Sequence, residues 1–216
     1  MAEKRDSNLP DFYACVALDV LRICEPKEGV WVDLGCGPGQ VSCALAKDEP
    51  SSTFVLIDPN TGALLQALRR IRREKMGDRF RFIGGRAESI PLGADSVGLV
   101  VSRGSVFFWE NQATGLREIH RVLRTGGAAM VGGGLGSTYP LWARREFVRR
   151  RREGIRDERS MEAFREARSP ETFKMWASQA GLRNFHVIGE GGLAEADTET
   201  GVGLWLVFRK EQGLDG

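Results

Sequence analysis

Val30-Trp31-Val32-Asp33-Leu34-Gly35-Cys36-Gly37-Pro38-Gly39-Gln40 is the stretch that decides the fold. A short apolar run of buried-strand character breaks into three alternating glycines and then enters residues 41–47, which have a helical pattern. Strand, glycine loop and helix in that order build a nucleotide site. Glycines let the chain turn sharply and let a ligand reach the backbone amides, and the helix start offers unpaired N–H groups. The spacing is G-x-G-x-G. A pyrophosphate-binding loop has G-x-G-x-x-G, with the third glycine seating the phosphates on the helix, so the spacing disfavours a nicotinamide dinucleotide.

About twenty residues further on, Phe54-Val55-Leu56-Ile57-Asp58-Pro59 places an acid at the end of a second apolar run. A carboxylate at that point accepts hydrogen bonds from both hydroxyls of a ribose. Farther out, short β-branched runs alternate with segments of helical period, as in a parallel sheet with crossover helices. Strands are predicted at 30–34, 53–57, 79–83, 97–101 and 127–131. Helices are predicted at 60–75, where Leu64, Leu68 and Ile71 form the stripe, and at 110–124, where Leu116, Ile119 and Leu123 do. An arginine-rich helical stretch covers 139–168. Ser169, as N-cap before Pro170, opens another helix to 181. The strands at 184–189 and 203–209 should pair antiparallel across a Gly-rich, acidic connection at 190–201. The expectation is one α/β domain over residues 1–216, doubly wound, with an arginine-rich insert or lid at about 137–168.

Composition agrees. The 216 residues are 42% hydrophobic and 28% charged, with net charge +2, which is ordinary globular composition and calls for no polyanionic partner. No apolar run approaches the roughly 18 residues that cross a bilayer, and the polar, mixed-charge start does not resemble a signal peptide. The expected setting is cytoplasmic, with no membrane association. Cys15, Cys24, Cys36 and Cys43 lack metal-ligand spacing and read as reduced thiols, so no metal is expected.

Asp33-Leu34-Gly35-Cys36-Gly37-Pro38-Gly39 resembles the first motif of the class I S-adenosylmethionine-dependent methyltransferases. The resemblance extends over most of the chain and includes the late turn Val122-Leu123-Arg124-Thr125-Gly126-Gly127. It implies a Rossmann-like, seven-stranded, mostly parallel sheet with an antiparallel last strand. It also implies S-adenosylmethionine as cofactor and S-adenosylhomocysteine as product. The loop with Gly35, Cys36, Gly37, Gly39 and Gln40, preceded by Asp33, would lie against the methionine part, and Asp58 with Pro59 would hold the ribose. The family often has an Asp-Ala pair after its third strand, and here Arg86-Ala87-Glu88 stands instead. An arginine has donors only and cannot accept from the adenine amine. Ala87 keeps the backbone role, with Glu88 as the stand-in acceptor. A second departure, Gly98 where the family usually has an acid, bears on strand packing.

In an open α/β sheet the ligand lies outside the carboxyl ends of the strands, where strand order reverses. That gathers the glycine loop, Asp58, residues 86–88 and 102–105 around one crevice, and adds Ser102 and Arg103 to the cofactor candidates. Substrate-side candidates are Ser105, Phe107 and Trp109 in the loop after the fourth strand, Tyr13 near the start, and Tyr139, Trp142 and Phe147 in the insert. Methyl transfer from a sulfonium runs largely on alignment, so no catalytic residue is assigned. His120, on a helix stripe, and His186, in a late strand, read as structural. The acceptor is expected to be a small molecule. The alternatives are a nucleic-acid or protein acceptor held by the basic insert, or a non-catalytic cofactor-binding module.

Overall fold

The computed structural model describes residues 9–153, 166–189 and 203–211. The expectations for 154–165 in the basic insert and for the 190–201 connection lie outside the described residues.

The elements run α1 (Tyr13–Cys24), β1 (Val30–Leu34), α2 (Gln40–Asp48), β2 (Thr53–Asp58), α3 (Thr61–Arg73), β3 (Phe80–Gly84), β4 (Val97–Arg103), α4 (Gln112–Val122), β5 (Leu123–Gly133), α5 (Leu141–Glu153), α6 (Pro170–Gln179), β6 (Phe185–Gly189) and β7 (Leu204–Arg209). The sheet order is β3-β2-β1-β4-β5-β7-β6. Strands β1 to β5 pair in parallel, and β7 is antiparallel to both β5 and β6. This is the doubly wound sheet expected, with its order reversing between β1 and β4.

Period-two alternation sends each strand's side chains to two buried layers. Val32, Leu34, Val55, Ile57, Ala129 and Val131 face the layer closed by Leu116 and Ile119 of α4 and Phe173 and Ala177 of α6. Trp31, Phe54, Leu56, Ala128 and Met130 face the layer closed by α1, α2 and α3, through Val16, Val20, Val41, Ala67 and Ile71. Both faces being apolar explains why the strands read as continuous hydrophobic runs.

Boundaries around α4, β4 and β5 differ from expectation. The helix predicted over 110–124 spans only Gln112–Val122, because the Asn111 side chain caps it by accepting from the Thr114 amide and Leu123 is already extended. Leu123 instead pairs with Val97, so β5 begins four residues earlier than predicted, with an irregularity in the β4 pairing between Val97 and Leu99. Gly98 sits at that irregularity. A Cβ there would lie 3.1 Å from the Arg124 guanidinium, which reaches over to donate to the Glu28 carbonyl, so the missing side chain makes room for a packing contact. Strand β4 also runs on to Arg103, placing Ser102 and Arg103 within the sheet.

Candidate functional site

At the carboxyl end of β1, the Gly35 and Cys36 amides both donate to the Ile57 carbonyl, at 2.7 and 3.1 Å, which joins the glycine loop to the end of β2. Gly35 and Gly37 have φ of +69° and +52°, the left-handed region that glycine enters at no steric cost. They differ in what surrounds them. A Cβ on Gly35 would stand 2.2 Å from the Ser105 Cβ, whereas one on Gly37 would meet nothing within 4 Å. Gly35 is a packing requirement; Gly37 leaves open space before the backbone.

Asp58 ties the loop to its own turn. Its Oδ2 accepts from the Gly37 amide at 2.9 Å and its Oδ1 from the Asn60 amide at 2.8 Å. A carboxylate oxygen has further acceptor capacity, so both oxygens stay able to receive ligand hydroxyls from the adjoining cavity. Asn60 caps α3 by accepting from the Gly62 and Ala63 amides. Arg70, on that helix, donates Nε–H to the Pro38 carbonyl at 3.0 Å and holds the loop from behind.

Asp33 is buried behind the loop and accepts from the Ser42 hydroxyl at 2.6 Å. Burial pushes its carboxyl up to about 6, against the lowering effect of the Ser42 hydrogen bonds. Cys36 is buried beside it, and desolvation pushes that thiol far above the usual range, which keeps it neutral.

A cavity of about 510 Å³ opens over the β1/β4 switch point, in the size range of small-molecule sites. It is lined by Leu34, Gly35, Asp58 to Asn60, Gly85 to Glu88, Arg103 to Ser105, Phe108 and Trp109. Of the cofactor candidates, Gly35, Asp58, Pro59, Arg86, Ala87, Glu88 and Arg103 reach its wall. Asp33, Cys36, Gly37, Gly39, Gln40 and Ser102 stand outside the lining set. Of the substrate candidates, Ser105 and Trp109 line it. Tyr13 is close by, with its ring centroid 5.2 Å from the central carbon of the Arg103 guanidinium, which lies 4.4 Å from the Phe12 ring centroid.

The remaining substrate candidates do not reach the wall. Phe107 turns inward against Phe173, with Arg168 stacked 3.7 Å from its ring. Its neighbour Phe108, 84% exposed, borders the cavity instead. Tyr139 is buried, with its hydroxyl donating to the Pro10 carbonyl and its ring edge-on to Phe12. Phe147 packs on the same ring. Trp142 is exposed, away from the cavity. Leu34, Asn60, Gly85 and Phe108 line the cavity and were not among the candidates, while Gly104 falls in the 102–105 segment expected at the crevice. Nothing in a run of adjacent aromatics says which of two neighbours turns inward until the loop's short 3₁₀ turn, Val106–Phe108, is known. His120 is half-buried on α4 and His186 is exposed on β6; neither lines the cavity.

The Arg86 departure has a local answer. Its guanidinium pairs with Glu110 at 2.5 Å. Glu88 Oε1 accepts from the Glu110 and Asn111 amides, at 2.6 and 3.1 Å, so it fastens the approach to α4. On α5, Arg149 and Arg150 pair with Glu146, and Arg149 also with Glu153, at helical spacing.

Comparison with known proteins gives a consistent picture. A methyltransferase-domain family profile matches residues 32–131. A spinach (Spinacia oleracea) chloroplastic 2-methyl-6-phytyl-1,4-hydroquinone methyltransferase is 31% identical over 118 residues, covering 54% of this chain and 32% of that enzyme. A Nitrosospira multiformis malonyl-[acyl-carrier protein] O-methyltransferase is 28% identical, covering 47% and 37% respectively. The chain thus spans about a third of the length of these curated relatives. The crystal structure of a putative S-adenosylmethionine-dependent methyltransferase from Methanococcus maripaludis superposes with a TM-score of 0.76 at 30% identity, covering 95% of this chain and 88% of that one. Sheet order, glycine loop, ribose-side carboxylate and a relative matched almost end to end agree: the chain belongs to the class I S-adenosylmethionine-dependent methyltransferases.

Proposed function

We propose that this protein transfers a methyl group from S-adenosylmethionine to a small-molecule acceptor, leaving S-adenosylhomocysteine. The observation that carries the reading is the pairing of Asp58, pinned by two backbone amides, with the open backbone at Gly37 on the loop that borders the same cavity. The donor set fits the cofactor. Asp58 would accept the ribose hydroxyls, the Gly35 to Gly39 loop would lie along the methionine part, and the Ala87 backbone would face the adenine. Glu88 holds the α4 approach through Oε1 and, lining the cavity, keeps acceptor capacity for the adenine amine.

The bound cofactor supplies a methyl group activated on a sulfonium, and the protein's task is alignment and exclusion of water. Trp109 and Phe108 present aromatic faces at the acceptor end, suited to a cationic centre or a flat acceptor. Arg103, backed by Phe12 and Tyr13, holds positive charge beside that end for an anionic group. The relatives named above, which act on a quinol and on a carrier-bound malonyl group, support an acceptor of modest size. The pairing of Arg149 and Arg150 with glutamates on their own helix supports a solvated α5 face over a nucleic-acid grip.

The reading takes the described residues as one domain and extends to a cytoplasmic setting, supported by four free cysteines. Among the described residues no helix is long and apolar enough to cross a membrane.

The test is calorimetric titration with S-adenosylmethionine, S-adenosylhomocysteine and NAD. Saturable binding of the first two alone is expected. Binding of NAD alone, or of none by the folded protein, would overturn the assignment.

A further inference from the structure

Ser105 ends up saturated. A serine hydroxyl has one proton and two acceptor lone pairs. Its oxygen lies 3.0 Å from the Leu34 carbonyl, 2.6 Å from the Ser102 hydroxyl and 3.2 Å from the Trp109 indole nitrogen. The carbonyl can only accept, so the Ser105 proton goes there. The indole N–H can only donate, so it takes one lone pair. The other lone pair receives the Ser102 hydroxyl. With every position used, Ser105 has nothing left for a substrate, although it borders the cavity.

It does have a place between the two halves of the site. Leu34 is the last residue of β1, directly before the glycine loop, and Gly35 is packed so tightly on Ser105 that a Cβ would overlap it. On the other side the same oxygen holds Trp109. That indole is seated from behind by α4, where a Cβ on Gly115 would come within 2.6 Å of the Trp109 Cε3. A shift of the loop backbone at Gly35 therefore has to move Ser105, and Ser105 cannot move without loosening the indole.

We infer that Ser105 is a positioning residue that couples the glycine loop to Trp109, so that occupancy of the loop by the cofactor is transmitted to the wall that Trp109 forms. The inference rests on the cofactor reading above and adds a coupling between two parts of the cavity wall.

The test reads the indole itself. The chain has five tryptophans, giving five indole N–H signals in a ¹H–¹⁵N spectrum, and the one lost in Trp109→Phe is Trp109. S-adenosylhomocysteine is the probe, with binding to each variant followed by calorimetry. In the wild-type protein the Trp109 signal should shift on saturation. In Ser105→Ala, which keeps the Cβ against Gly35 and removes only the oxygen, S-adenosylhomocysteine should still bind, weakened by about 10-fold at most, one hydrogen bond's worth, and the Trp109 shift should be lost. A shift of full size in bound Ser105→Ala means that the indole senses the ligand directly, and overturns the inference. If Ser105→Ala does not fold, Ser105→Cys, which keeps the Cβ and replaces the oxygen by a weak acceptor, takes its place: a reduced Trp109 shift in the bound variant supports the coupling, and a shift of full size overturns it. Absence of calorimetric binding to the wild-type protein overturns the cofactor reading first, and the coupling with it.

Discussion

Asp33 and Asp58 are carboxylates at the ends of adjacent strands, and their surroundings give them different work. Asp58 faces the cavity with each oxygen already fixed by one amide. Asp58→Ala removes both acceptors, and two hydrogen bonds to a charged group correspond to a loss of about 100-fold in S-adenosylhomocysteine affinity, measured by calorimetry; unchanged affinity would remove Asp58 from the site. Asp33 is buried against Ser42, whose hydroxyl and backbone both hydrogen-bond to it, and its carboxyl is nonetheless raised from 3.8 to about 6 by desolvation. The folded state thus holds this proton more tightly than the unfolded chain does. The stability it contributes is fully present below about pH 4 and is lost as pH rises through about 6. Urea unfolding of wild-type protein and Asp33→Asn between pH 4 and 7 checks this: the wild-type protein should gain on the variant by roughly 2 kcal/mol on acidification. A constant difference would mean that Asp33 ionises at its ordinary value.

At the level of elements, α4 shows where sequence reading ends. Its apolar stripe was legible because Leu116 and Ile119 repeat at helical spacing against one layer of the core. Its ends were not, because they depend on partners distant in sequence: Glu88 holds the two residues before the helix, and Leu123 leaves it to pair with Val97. Gly115 was equally silent. A glycine within a helix is normally a liability, and Ala there gains about 0.5–1 kcal/mol. Here the added Cβ would meet the Trp109 ring at 2.6 Å, and overpacking of that kind costs about 1–3 kcal/mol. Gly115→Ala should therefore lower the thermal midpoint and change the near-ultraviolet dichroism of the displaced indole. A stabilised variant with an unchanged spectrum would show that the ring is not seated on α4.

For the molecule as a whole, the meeting of the glycine loop and Asp58 at one crevice was legible and the wall formed by the loop after β4 was not, for a physical reason. The loop from Gly35 to Gly39 and Asp58 are local devices, each within one strand–turn–helix unit, so residue type and spacing define them. The acceptor wall depends on how β4's trailing loop packs across the sheet, which chose Phe108 over Phe107, and on how the segment after β5 meets the N-terminal segment, which buries Tyr139 against Pro10 and Phe12. The local half should therefore report on the stability of the entire fold. A ligand that binds only the folded state stabilises it by about 2.7 kcal/mol at a hundred times its dissociation constant. For a chain of this size each kcal/mol moves the thermal midpoint by about 2–4 °C. S-adenosylmethionine and S-adenosylhomocysteine should each raise the midpoint by roughly 5–10 °C at that excess, rising further with the logarithm of concentration. NAD should leave it in place, and Asp58→Ala should need far more ligand for the same rise. A midpoint insensitive to S-adenosylhomocysteine at millimolar concentration would mean that Asp58 and the glycine loop keep the family's geometry without its affinity.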